Sequence, residues 1–155
     1  VEGFLLFSAS SASLRLAAKL ENLAAIRRFV EETATGLGID RATVADIVLA
    51  VDEAASNVIL HGYRGQAGSL EIEVKCGRDA LVICLRDEAP PFDPTSVPAP
   101  DLAAPLEQQA VDGMGMHLIR QIVDSVIHRT TPQGGNELLL VKRLEENSEH
   151  FDICD

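Results

Sequence analysis

The run Val51-Asp52-Glu53-Ala54-Ala55-Ser56-Asn57-Val58-Ile59-Leu60-His61-Gly62-Tyr63 decides how the rest of the chain is read. Together with the residues before it, it reads as a helix that starts after Asp40, a good N-cap, runs to about Leu60 and is ended by Gly62. Val44, Ile47, Val48, Val51, Ala55, Val58 and Ile59 form one apolar stripe, expected to face a sheet. Glu53 and Asn57 are four apart, so they share one face, roughly opposite that stripe. Solvent is the ordinary fate of such a face. Leu49, Ala50 and Leu60 share this side, however, and a carboxylate beside an amide in a half-apolar groove suits another task. A Glu can accept the proton of an attacking hydroxyl, and an Asn carbonyl is a hard, neutral ligand for Mg²⁺.

Outward from that helix the chain divides cleanly. Upstream, segment 11–17 alternates and reads as an edge strand. From Glu21 to about Leu37, residues Leu23, Ile26, Phe29, Val30 and Ala34 recur at helical spacing before Gly36 and Gly38. Downstream, strands are expected at 69–76 and 79–86, joined by the tight Gly77-Arg78 turn. Residues 87–112 hold six of the seven prolines and read as a long loop, which in a compact domain is more often functional than ornamental. A third helix is expected at about 115–124, then strands at 125–131 and 136–143 linked by Pro132-Gln133-Gly134-Gly135. This order implies an α/β fold, an α+β two-layer sandwich with helices on one face of a mixed sheet. The domain is expected to span 11–144, with residues 1–10 as an N-terminal extension and 145–155 as an acidic, loosely held tail.

Composition fits one such domain. The chain has 155 residues, 46% hydrophobic and 24% charged, enough for a core without metal or disulfide staples. Thirteen basic against 24 acidic residues give a net charge of −11, which argues against nucleic acid and against anionic membrane surfaces as partners. Cys76, Cys84 and Cys154 show no CxxC or CxxH spacing. Cys76 and Cys84 lie in apolar runs, so buried reduced thiols and a cytoplasmic location are expected. No apolar stretch is long enough to cross a bilayer. Gly3-Phe4-Leu5-Leu6-Phe7 is too brief for a signal peptide and lacks a basic flank. The chain opens on Val1 rather than Met, and a processed or truncated start is expected.

Two further stretches could carry chemistry. Asp87 directly follows a strand and precedes Glu88-Ala89-Pro90-Pro91-Phe92-Asp93-Pro94. A carboxylate at a strand end can accept from a purine amino group, and paired prolines would hold Phe92 as an apolar wall. A rigid surface turn capped by Asp87 is an equal alternative. Gly113-Met114-Gly115-Met116-His117-Leu118-Ile119 puts glycines just before a helix, where backbone amides and the helix dipole favour an anion. By itself a GxG there is as often a plain loop-to-helix junction, and it lacks the P-loop lysine.

Order and spacing make the three together specific. They resemble the GHKL (Bergerat-fold) ATPases and, within them, the anti-sigma-factor serine kinases. Residues Val51 to Tyr63 resemble the N box, E-A-x-x-N-x-x-x-H-[GA]-Y; Asp87 to Pro94 resemble the G1 box, D-x-G-x-x-F-[DN]-P; Gly113 to Ile119 resemble the G2 box, G-x-G-[LM]-x-L-I. Residues 135–142 resemble the last family strand, so the likeness covers about 11–143. It implies ATP and Mg²⁺ as cofactors, Glu53 as general base, Asn57 as the Mg²⁺ ligand and Asp87 as the adenine acceptor. Ala89, Phe92, Gly113, Met114, Gly115 and Met116 would line the nucleotide, under a lid at about 93–112. It further implies phosphorylation of a serine on a STAS-domain anti-anti-sigma protein, competition with a sigma factor, and a possible homodimer.

Two departures stand out. Ala89 replaces the G1 glycine, which would weaken binding if that position needs a positive φ or a tight approach. Asn136-Glu137 replaces the hydroxyl residues often near adenine, and strand geometry lets only one of the two point inward. His117 could approach phosphate but is more often a surface residue; His61 and Tyr63 read as ending the helix and packing, and His128 as ordinary strand surface. The alternatives are a noncatalytic nucleotide-binding module that sequesters a partner, and the catalytic domain of a sensor kinase. The latter would need a phosphoacceptor-histidine helix pair that this sequence does not contain.

Overall fold

The computed structural model describes residues 4–7, 11–96 and 111–144. Its strands are β1 (Phe4–Phe7), β2 (Ser11–Ala17), β3 (Ser69–Cys76), β4 (Ala80–Asp87), β5 (Ser125–Thr130) and β6 (Asn136–Arg143). Its α-helices are α1 (Leu23–Gly36), α2 (Arg41–Asn57) and α3 (Val111–Ile122). The strands form one sheet in the order β1-β2-β3-β4-β6-β5. The expected two-layer architecture is present, with three corrections.

The sheet is antiparallel at every hydrogen-bonded pair rather than mixed. Crossing through α3 returns β5 in the same direction as β4, but β6 turns back through a hairpin and inserts between them. The two parallel strands therefore never touch. Nor is β2 an edge, because β1 pairs along it from Phe4↔Arg15 to Phe7↔Ala12. Residues 4–7 of the expected extension thus belong to the sheet. Finally, Cys76 is disulfide-bonded rather than a reduced thiol, whereas Cys84 is free and buried as expected. Cys76 ends β3, whereas Cys84 lies within β4.

Local rules account for the elements. Asp40 caps α2 by accepting from the Thr43 amide (3.1 Å) and hydroxyl (2.6 Å). Gly38, at φ +80°, takes the left-handed turn after α1. One face of α1 buries Ile26, Phe29, Val30 and Ala34, and one face of α2 buries Val44, Ile47, Val51 and Ala55. Against them lie Leu70, Ile72 and Val74 of β3, Leu81, Ile83 and Leu85 of β4, and Leu138 and Leu140 of β6. Burying each large aliphatic side chain contributes roughly 1.5–3 kcal/mol. The opposite sheet face carries Glu71, Glu73, Arg86 and Glu137, alternating with the core residues.

Beyond Asn57 the helix widens into a π turn, Val58–Gly62, closed by the Tyr63 amide donating to the Val58 carbonyl at 2.9 Å. Such turns often mark functional sites. This one brings the end of α2 to the same end of the sandwich as the C-terminus of β4, the N-terminus of β6 and the first half of α3. The proposed acidic tail, residues 145–155, and most of the proposed lid lie outside the described residues.

Candidate nucleotide site

A cleft opens there, between helices and sheet. Its lining draws on all three stretches singled out above: Asn57, Val58 and Gly62 from the end of α2, Asp87 and Phe92 from the end of β4 and beyond, and Met116 from α3. Ala54, Pro94, His128, Asn136 and Leu138 also line it. Glu53, one turn before Asn57, lies beside it.

Gly115 explains how α3 fits against α2. A Cβ there would stand 3.2 Å from Glu53 Oε2 and 3.5 and 3.6 Å from the Asn57 Nδ2 and Oδ1. The missing side chain is what lets the helix lie against the carboxylate and the amide. Gly113 and Gly115 therefore fall inside α3, not ahead of it, as does Met114. The expected start at about 115 puts these glycines ahead of the helix as an anion-binding junction, whereas here Gly115 serves the close approach of two helices. The Glu53–Asn57 face, expected to be half apolar, packs against α3 at Gly115; on that side Ala50 is buried, whereas Leu49 and Leu60 are 43% and 50% exposed.

Asp87 is buried, 8% exposed, and among the described residues its carboxylate forms no ion pair within salt-bridge distance. Its Oδ1 accepts from the Ala89 amide and from Asn136 Nδ2, both at 2.9 Å. Its Oδ2 has no partner among the described residues. Burial raises its pKa above the ordinary value, and the hydrogen bonds from Asn136 and Ala89 and the nearby His128 offset this in part. Gly135 allows the arrangement: a Cβ on it would meet the Asp87 carbonyl oxygen at 2.1 Å, so only glycine lets the β5–β6 hairpin close over the end of β4.

Of the two departures, Ala89 sits on ordinary backbone. Its φ is not positive, and its buried methyl faces Gly62, where an added Cβ would lie 3.5 Å away. At the other, Asn136 points inward and Glu137 outward, where Glu137 Oε2 accepts from Arg86 Nε at 2.7 Å.

His128, expected at the strand surface, is turned inward instead. Its side chain is only 9% exposed and lines the cleft, with Nε2 2.8 Å from Asn136 Oδ1 and Nδ1 3.9 Å from Asp93. Hydropathy on an edge strand misleads here: Ile127, 41% exposed, faces out and its polar neighbour faces in. The register opposite Leu138 decides this, and no local pattern reports it. Tyr63 does more than pack. Its hydroxyl donates to the Ser69 carbonyl (2.6 Å) and accepts from the Glu88 amide (2.8 Å), tying the end of α2 to both β3 and the segment after Asp87. His117 meets Gln121 on its own helix, 3.1 Å away.

Among the described residues no group of three or more His, Cys, Asp or Glu could cage a cation. A single Asn amide beside an open cleft does fit Mg²⁺, which keeps most of its shell for water and phosphate.

This convergence agrees with comparison to known proteins. Residues 16–142 match the histidine kinase-like ATPase domain, and the chain belongs to that family. Within it, the chain is similar to the serine-protein kinases RsbW of Bacillus cereus strain Q1 and of Bacillus thuringiensis subsp. konkukian, each 27% identical over 117 residues and 73% of either chain. The resemblance to anti-sigma-factor serine kinases read from the three boxes is thereby borne out. No helix among the described residues is long and apolar enough to cross a membrane.

Proposed function

We propose that this chain is an ATP- and Mg²⁺-dependent protein-serine kinase that phosphorylates a STAS-domain antagonist and, as a switch, binds a sigma factor or an analogous regulator. The observation that carries this reading is that Asn57, Asp87 and Met116, distant in sequence, line one cleft, with Glu53 Oε2 against Gly115 at its side. Kinship with serine-protein kinases supports it.

In this reading Asp87 Oδ2 accepts from the adenine amino group, and Val58, Met116 and Leu138 enclose the base. Asn57 would hold Mg²⁺, which supplies charge neutralisation at the phosphates when bound. Glu53 takes the proton of the acceptor serine as its oxygen bonds to the γ-phosphorus, while the bond to the β–γ bridging oxygen breaks and ADP leaves. Rate enhancement comes from positioning and from electrostatics.

The test is to incubate the protein with γ-labelled ATP and a STAS-domain antagonist from the same genome. Label on a serine of the antagonist is expected; tight association without transfer would instead mark a noncatalytic sequestering module. Glu53→Ala should lower transfer by about 10²–10⁴-fold with ATP affinity retained. In calorimetry, Asn57→Ala should weaken MgATP binding and leave metal-free ATP binding nearly unchanged.

A further inference from the structure

Asn136 has the densest set of hydrogen bonds in the cleft. Its Nδ2 lies 2.9 Å from Asp87 Oδ1 and 3.2 Å from the carbonyl oxygens of both Ala89 and Pro90. Its Oδ1 accepts from the Phe92 amide at 2.9 Å and meets His128 Nε2 at 2.8 Å. Three acceptors surround Nδ2, so the carboxamide has one orientation only. That orientation in turn puts the imidazole proton on Nε2, where it donates to Asn136 Oδ1. Segment 87–92 is thereby fastened at Asp87, Ala89, Pro90 and Phe92 by one side chain from the neighbouring strand. A hydroxyl at this position has a single donor and could make at most one of the three Nδ2 contacts.

We infer that Asn136, seated by His128, is the residue that positions the base-recognising carboxylate, and so sets the preference of the cleft for a purine with a 6-amino rather than a 6-keto group. The inference rests on the nucleotide-site reading above. With Asp87 Oδ1 engaged twice, Oδ2 is left as an acceptor in a fixed place. An amine donates to it, whereas a keto oxygen there would face a buried acceptor, and a mismatch of that kind is strongly rejected. Asn136 and His128 touch neither phosphate nor metal ligand in this scheme; both act through Asp87 and its segment.

The test uses the full chain and three probes, MgATP, MgGTP and magnesium tripolyphosphate, which lacks a base. Calorimetry on Asn136→Ala should show MgATP affinity reduced at least about tenfold. Tripolyphosphate affinity should stay within about twofold of wild type, and the ATP-over-GTP preference should shrink. His128→Ala should give a smaller loss in the same direction, and His128→Gln, whose amide can still donate to Asn136 Oδ1, should recover most of it. In the nucleotide-free protein, hydrogen exchange at the Ala89 and Phe92 amides should speed up in Asn136→Ala. Equal losses of ATP and tripolyphosphate, or unchanged ATP affinity, would overturn the inference. Should Asn136→Ala not fold, equal ATP affinities for the two His128 variants would overturn it as well. A wild-type protein that binds none of the probes overturns the nucleotide reading instead, and unchanged exchange at the two amides then overturns the positioning role separately.

Discussion

Two adjacent rungs of the same strand pair solve opposite problems. Arg86 stands opposite Glu137, and one residue on, Asp87 stands opposite Asn136. On the outer face Arg86 reaches Glu71, Glu73 and Glu137 at 2.7–2.8 Å, with about 30% of its side chain exposed. Burial would lower its pKa, and the hydrogen bonds to the three carboxylates outweigh that and raise it. Every charge on that rung has a partner. On the inner face Asp87 is more deeply buried, has only neutral donors, and keeps one oxygen unengaged among the described residues. Charges matched inside the protein hold structure together; a buried carboxylate left partly unmatched is held ready for something else.

The comparison can be broken in three places. Asp87→Asn should reduce MgATP affinity at least about tenfold by calorimetry. It should also raise the melting temperature of the nucleotide-free protein at pH 7. The sign follows from linkage: with its folded pKa raised, Asp87 favours folding most below its ordinary carboxylate value, and that contribution is lost as pH rises through the folded value. The stabilisation by Asn should therefore shrink as pH falls towards 4, as melts across that range would show.

Arg86→Met leaves three carboxylates facing one another. Because the cluster is partly solvated, the cost should be about 1–2 kcal/mol of unfolding free energy, measured in urea. MgATP affinity should stay within about twofold, since Arg86 faces away from the cleft. A variant that kept its stability but lost nucleotide would reverse the roles assigned to the two rungs. Tyr63→Phe should have the smallest effect, about 1 kcal/mol, by removing the hydroxyl shared between the Ser69 carbonyl and the Glu88 amide. Nucleotide affinity should fall less than in Asp87→Asn, because Asn136 still fastens the same segment.

Much of the site is legible in the amino-acid sequence because its parts are local. The i, i+4 pair Glu53 and Asn57, the carboxylate after a strand and the glycines of the third helix each have a signature within about a dozen residues. How those parts meet is a different matter. Gly113 and Gly115 read as a helix start, yet both fall inside the helix, where Gly115 packs against Glu53 and Asn57. His128 reads as exposed because hydropathy would bury its neighbour Ile127, which instead faces out. Cys76 resembles Cys84 in its sequence surroundings, yet one ends a strand and the other lies within one.

The amino-acid sequence alone determined most of the helices and strands, though not β1 or the start of α3, and singled out the three stretches that carry the candidate site, because these follow from periodicity, capping and chain stiffness over short distances. Tertiary structure alone decided that β6 slides between β4 and β5, that Asn136 rather than Glu137 turns inward, and that His128 joins it in the cleft. Which face of a strand is buried depends on what lies across from it, and for this site that neighbour is supplied by residues some fifty positions away.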